Sequence, residues 1–337
     1  MQDIIPPVPR TELEAELTEK KFIRMTNNAH NELYIISHQD SPKLMQEIGR
    51  LRELTFRAAG GGTGLAVDID EYDISDDPYK QLIVWDPDKR EILGGYRYHL
   101  CAKKKPDCTQ VDLATGKLFD FSQKFINEYL PDVIELGRSF VQPEYQTTSR
   151  KNKGIYALDN LWDGLGTLII DNPTKKYFFG KVTMYRNYNQ RARNLLLYFL
   201  EKNFPDTENL VTPKTPLDTK IDLEEMKEIF TGKNYEQDYK ILSQKVRAFG
   251  ENIPPLINAY MSLSPSMRTF GTVLNPYFGD VEETALLICI NDLYKQKVER
   301  HIKSYDPGKR NQLFRLISRI RRLRKRLIHI SGGRHHG

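Results

Sequence analysis

Short apolar runs of two-residue period alternate with longer runs of three- and four-residue period along most of the chain, and this alternation most narrows its fold. Leu33 to Ser37, Gln81 to Trp85, Ile92 to Leu100, Val133 to Val141, Tyr177 to Gly180, Thr269 to Leu274 and Thr284 to Ile290 read as strands. Pro42 to Phe56, Asn152 to Ile170 and Thr183 to Asn203 read as amphipathic helices, as does the pattern LFDFSQKFINEYL ahead of the Val133 strand. The turn sequence DPDKRE predicts a hairpin, and the glycines of AAGGGTGLAVDIDEYDISDDP predict a loop. Strands interleaved with helices give an α/β layered fold.

Pro205, Pro213 and Pro216 interrupt the pattern, and two polar helices follow, Leu223 to Phe230 and Tyr235 to Phe249. They read as an insertion over about 205–250, because Pro254 opens another helix and the last two strands lie beyond it. One domain is expected over 1–306, followed by a tail over 307–337.

Composition excludes whole classes. At 39% hydrophobic and 28% charged the 337 residues are those of an ordinary globular protein. Three cysteines, Cys101, Cys108 and Cys289, are too few for a disulfide scaffold or a four-cysteine zinc site, so a reducing compartment and no metal are expected. MQDIIPPVPR has neither the basic start nor the apolar stretch of a secretory signal, and no apolar run approaches the roughly 20 residues of a membrane span. A cytoplasmic protein is expected.

Charge is unevenly placed. Ten basic and no acidic residues lie between Lys309 and Gly337, leaving 40 basic against 45 acidic in positions 1–308. In the tail Leu313, Leu316, Ile317, Ile320, Leu323 and Leu327 share one side of a helix, and Arg315, Arg319, Arg322 and Arg326 the other. Such a helix over 310–330 suits an anionic membrane surface; packing on its own domain and nucleic-acid binding are the competing readings. The acidic body, with no recognition motif, speaks against nucleic acid.

Glu135 and Arg138 stand inside the apolar strand VIELGRSFV. At period two they face opposite sides unless a bulge intervenes, and Gly137 is placed to form one. A structural ion pair and a catalytic site are both compatible with this pattern. Upstream come Arg50, Arg52 and Phe56 on one helix, the acidic loop Asp68-Ile69-Asp70-Glu71-Tyr72-Asp73, and Gly94-Gly95-Tyr96-Arg97 in a strand.

In their order and spacing the Arg-x-x-x-Phe helix (Arg52, Phe56), the acidic loop (Asp68, Asp70, Tyr72, Asp73) and the Glu-Leu-x-Arg strand (Glu135, Leu136, Arg138) resemble the acyl-homoserine-lactone synthase branch of the GNAT superfamily. They are still more similar to its bacterial relatives that N-acylate amino acids to make ornithine- or glycine-type lipids. The likeness spans about Glu32 to His301 and is weakest at the insertion. Two departures, AAGGGTG where lactone synthases carry tryptophan and Gly137 where they carry serine, favour the lipid-forming relatives.

The resemblance implies a mixed, twisted GNAT-like sheet flanked by helices and transfer of a fatty acyl group from acyl carrier protein to the α-amine of glycine or ornithine. No tightly bound cofactor is implied. A thioester is already activated, so the chemistry asks for a base to take the amine proton, with Glu135 the candidate and Arg138 beside it, and for N–H donors near Gly137 to meet the oxyanion. Arg52, Arg97 or Arg138 is expected to receive the acceptor carboxylate, Asp70 and Asp73 to hold its ammonium or brace those arginines, and Phe56 to line the substrate site. The donor arm is expected at Arg150, Lys151, Lys153 and Gly154, where the following helix begins. A lipid product also suits a tail resting on the inner face of the cell membrane. The alternatives are a signal-forming lactone synthase and a non-catalytic membrane-bound adaptor.

Overall fold

The computed structural model describes residues 1–103, 111–146 and 156–319. Eight strands form one sheet: β1 (Phe22–Met25), β2 (Glu32–Ile36), β3 (Lys80–Asp86), β4 (Glu91–Leu100), β6 (Val133–Val141), β7 (Tyr177–Met184), β9 (Arg268–Asn275) and β10 (Val281–Cys289). β5 (Phe119–Phe121) and β8 (Val211–Pro213) pair separately. The order across the main sheet is β1-β2-β3-β4-β6-β7-β10-β9. Neighbours are antiparallel except β6 and β7, which run parallel. The result is the mixed α/β sheet flanked by helices that the sequence predicted.

The α-helices are α1 (Arg10–Glu16), α2 (Pro42–Ala59), the single turn α3 (Glu71–Ile74), α4 (Ala157–Asp171), α5 (Gln190–Asn203), α6 (Leu223–Ile229), α7 (Tyr235–Ala248) and α8 (Pro255–Met261), with a short turn at Lys295–Lys297 and a helix over 310–319 following. Pro42 opens α2, where a missing N–H costs nothing, and Gly60 closes it at φ 96°, which a residue with a side chain resists. None of the described helices is long and apolar enough to cross a membrane.

The two sheet faces differ. One buries Leu82, Tyr96, Ile134, Phe178 and Ile288 against α4, α5 and the helices of the 205–250 stretch, whose Met226, Phe230, Leu242 and Val246 join the same core. The other carries two separate apolar clusters. Leu44, Ile48 and Leu51 of α2 cover Tyr34, Ile83 and Trp85, while Phe119 and Phe125 cover Val133, Phe179 and Leu287. Between them the register places a polar row on one face. Gln81 pairs with Arg97, Arg97 with Gly137, and His99 with Glu135. Glu135 in turn pairs with Phe179, which has the parity of Lys181 and Thr183, and Thr183 pairs with Glu283.

Three boundaries depart from the sequence reading. β7 continues through Lys181, Val182 and Thr183 instead of ending at Gly180, and α5 begins at Gln190 instead of Thr183. The run LFDFSQKFINEYL divides into β5 and a helical turn at Phe125–Tyr129. In the tail, residues 310–319 are helical, and Leu313, Phe314 and Ile317 pack on the body. The Phe314 ring lies 5.4 Å from that of Phe22, Arg310 donates to the Phe22 and Lys20 carbonyls, and Leu316 stays exposed. An edge strand with an uncovered Phe22 gives this stripe a protein surface to bury against. Residues 320–337 lie outside the described residues.

Candidate active site

A cavity of about 440 Å³ opens on the polar row, within the usual range for a small-molecule site. Its walls include Phe56, Tyr79, Arg97, Thr115, Glu135, Gly137, Arg138, Lys181 and Glu283, and its apolar stretch Val141, Leu158, Leu256, Tyr185 and Phe278. The cavity sits where β6 leaves β7. Their pairing ends at Leu136 and Gly180, so the β6 backbone from Gly137 onward has no ladder partner on that side. On the other side the β4–β6 register slips between Gly95 and Arg97. The bulge is therefore present, but its left-handed residue is Arg138, at φ 48°, and not Gly137. Gly94 permits it: a Cβ there would lie 2.4 Å from the Phe140 carbonyl oxygen.

Glu135 is almost fully buried yet lines the cavity. Oε1 accepts from the Thr115 N–H at 2.9 Å and the Thr115 hydroxyl at 2.7 Å, and Oε2 accepts from the Tyr79 hydroxyl. A carboxylate has about four acceptor positions, so one position on Oε2 remains. Burial first, and the Glu135 charge second, raise the Tyr79 hydroxyl far above the ordinary tyrosine range, which keeps it a donor. His99 stacks on Tyr79 at 4.9 Å.

Behind the cavity lies a network of three arginines and three aspartates. Ile69 packs against Gly49 of α2, which holds the acidic loop on the helix. Asp70 and Asp73 then cap α3 reciprocally. Arg52 is fully buried and reaches Asp73 at 3.1 Å and Gln81. Arg97 reaches Asp70 at 2.6 Å and Asp73 at 3.2 Å. Arg138 reaches Asp68 at 2.8 Å and lies 4.5 Å over the Phe278 ring. Burial pushes the Asp70 carboxyl up, but Arg97, with Arg138 and Arg52, outweighs it and holds the group well below the usual carboxylate range. Burial also works against the charge on Arg97, and Asp73 and Asp70 overcome it; at Arg52 burial prevails and the pKa falls.

Of the residues singled out in the sequence, Phe56, Arg97, Glu135 and Arg138 meet on the cavity wall. Arg52, Asp70 and Asp73 do not line it; they occupy the bracing layer behind it. Arg150, Lys151, Lys153 and Gly154 lie outside the described residues. Sequence reading missed Tyr79, Thr115, Lys181 and Glu283. Lys181 and Glu283 left one faint sign, charged residues inside the otherwise apolar runs YFFGKVTM and VEETALLIC.

Residues 51–152 match the acetyltransferase (GNAT) domain family. A glycine N(alpha)-acyltransferase of Phocaeicola vulgatus is 54% identical over 311 residues, 90% of this chain and 94% of that protein. A glycine N(alpha)-acyltransferase of Bacteroides thetaiotaomicron is 56% identical over 306 residues, 90% of this chain and 91% of that protein. No solved structure matches. The chain belongs to the GNAT acyltransferase family. In this acyltransferase the matched segment holds Arg52, Phe56, the acidic loop, Arg97, Glu135 and Arg138, whereas Lys181 and Glu283 lie beyond it.

Proposed function

We propose that this acyltransferase moves a fatty acyl group from the thioester of acyl carrier protein to the α-amine of glycine, giving an N-acylated amino acid, the lyso form of an amino-acid lipid. Glycine is preferred over ornithine because both relatives above are named for it. The observation that carries the reading is Glu135: a buried carboxylate on the cavity wall, held by three neutral donors, with no cationic partner among them and one acceptor position left.

That position suits the acceptor's ammonium group. Glu135 takes a proton from it, the freed amine attacks the thioester carbonyl, and the carbon–sulfur bond breaks as the pantetheine thiolate departs and takes up the second proton, which the nitrogen sheds on becoming an amide. Beyond Leu136 the side of β6 that β7 leaves open is suited to offer backbone N–H to the tetrahedral oxyanion. Arg138 steadies the wall beside it, and the apolar stretch of the cavity suits the acyl chain. The basic residues Arg150, Lys151 and Lys153, with Gly154, precede α4 in the chain and suit the phosphopantetheine arm and acidic surface of the carrier. The basic tail would hold the enzyme at the inner face of the membrane, where its product partitions.

The test is direct. Purified enzyme, palmitoyl-loaded acyl carrier protein and glycine are expected to yield palmitoylglycine by mass spectrometry, and a host lacking such lipids should accumulate it on expression. Unmodified glycine in the presence of folded enzyme and charged carrier would overturn the proposal.

A further inference from the structure

Lys181 and Glu283 form an ion pair on the wall of the same cavity, on β7 and β10, and nothing above uses them. Glu283 is also held by Asn275 at 3.0 Å and by Thr183 at 3.3 Å. An ion pair buried in a sheet face seldom stabilises a fold more than apolar side chains of similar volume would, so its place on a cavity wall asks for a task. Glu283 engages one N–H of the lysine ammonium, which carries three.

Its position is what assigns the task. Lys181 follows Gly180, where β6 and β7 part, and shares the sheet face of Glu135. Two residues along, at about 3.3 Å each, and one strand across, at about 4.8 Å, places their backbones about 8 Å apart. Both side chains line the cavity, and the flexible four-carbon stem of the lysine lets its ammonium follow a carboxylate one methylene away from an ammonium group facing Glu135. Each of the three arginines, like Lys181, is matched by a carboxylate, but Arg52 does not line the cavity and Arg97 divides its guanidinium between Asp70 and Asp73. Burial lowers the Lys181 pKa, Glu283 opposes this, and Arg138 and Arg97 lower it further, so an arriving carboxylate would favour the charged lysine.

We infer that Lys181, held by Glu283, receives the carboxylate of the acceptor amino acid while Glu135 faces its ammonium group, so that the pair selects a zwitterion over a neutral amine. This rests on the proposed acylation of glycine, which it deepens. It moves the carboxylate receptor from the arginines expected from sequence to a lysine outside the GNAT-matched segment.

The experiment compares glycine with glycinamide, which keeps the amine and loses the negative charge, using palmitoyl-loaded carrier protein and full-length enzyme. Wild type is expected to prefer glycine. Lys181→Met should raise KM for glycine and cut the glycine-to-glycinamide ratio of kcat/KM by roughly tenfold or more, with turnover of glycinamide little changed. Lys181→Arg should keep the preference. Should Lys181→Met fail to fold around an unpaired Glu283, the double variant Lys181→Met/Glu283→Gln removes both charges and gives the same readout. An unchanged ratio in a folded variant overturns the inference and leaves the glycine acyltransferase reading intact. A wild type that acylates neither amine overturns both.

Discussion

A carboxylate removed from water needs its hydrogen bonds supplied by protein, and at Glu135 three donors come from two residues distant from it in sequence, Tyr79 and Thr115. The side chain is thereby fixed in one orientation. Glu135→Gln replaces an acceptor by an NH2 group that must face the Thr115 or Tyr79 donors. Activity is expected to fall by about 10²–10⁴-fold, with a stability loss of about 1–3 kcal/mol. Steady-state kinetics and thermal melts check both; full activity would remove Glu135 from the chemistry. Asp70 makes a pH prediction. Its folded pKa lies below the unfolded value, so its contribution is present above about pH 4 and is lost as pH falls through that region toward the folded value. Asp70→Asn should therefore cost about 1.5–3 kcal/mol at pH 6, with the difference from wild type shrinking below pH 4. Denaturant melts across that range test it, and a constant difference would contradict the ion pair's role.

At the scale of elements, the site is made by two irregularities: the slip of β4 against β6 and the parting of β6 from β7. Gly94→Ala would drive a methyl group into the Phe140 carbonyl. It is expected to cost about 1–3 kcal/mol and to weaken acyl transfer disproportionately, because the bulge aims Arg138. A melt combined with kcat/KM decides it. The β6 boundaries and the place for a bulge were legible, since two charges at odd spacing in a strand face opposite sides unless one intervenes. Which residue turns left-handed was not, because the strain at Arg138 is held by contacts with Asp68 and Phe278 from elsewhere. β7 was cut short because Gly180 looks like a stop and Thr183 to Asn203 keeps an amphipathic rhythm. The better signal for the start of α5 was Asn189, whose side chain accepts from the N–H groups of Arg191 and Ala192. That error hid Lys181. β1 and α1 were not read at all, being four and seven residues long.

Across the whole molecule, the sequence carried the layer architecture and the acidic loop but not the pairing of charges, since Asp68 and Arg138 stand 70 residues apart. The tail shows the same limit: an apolar stripe on a basic helix is equally suited to lipid and to protein, and spacing does not choose. The structure divides the stripe, with Phe314 against Phe22 and Leu316 exposed beside Arg315 and Arg319. The two faces therefore make separable predictions. Phe314→Ala should lower stability by about 1–3 kcal/mol, less than for a fully buried ring, while leaving binding to phosphatidylglycerol-containing vesicles unchanged. Leu316→Glu should leave the melting temperature unchanged and weaken that binding, more so at low salt, where the added negative charge is least screened. Vesicle sedimentation and thermal melts on the full-length enzyme read both variants. If Leu316→Glu sediments with vesicles as well as wild type does, the helix is a clasp on the body and the membrane proposal for this segment fails.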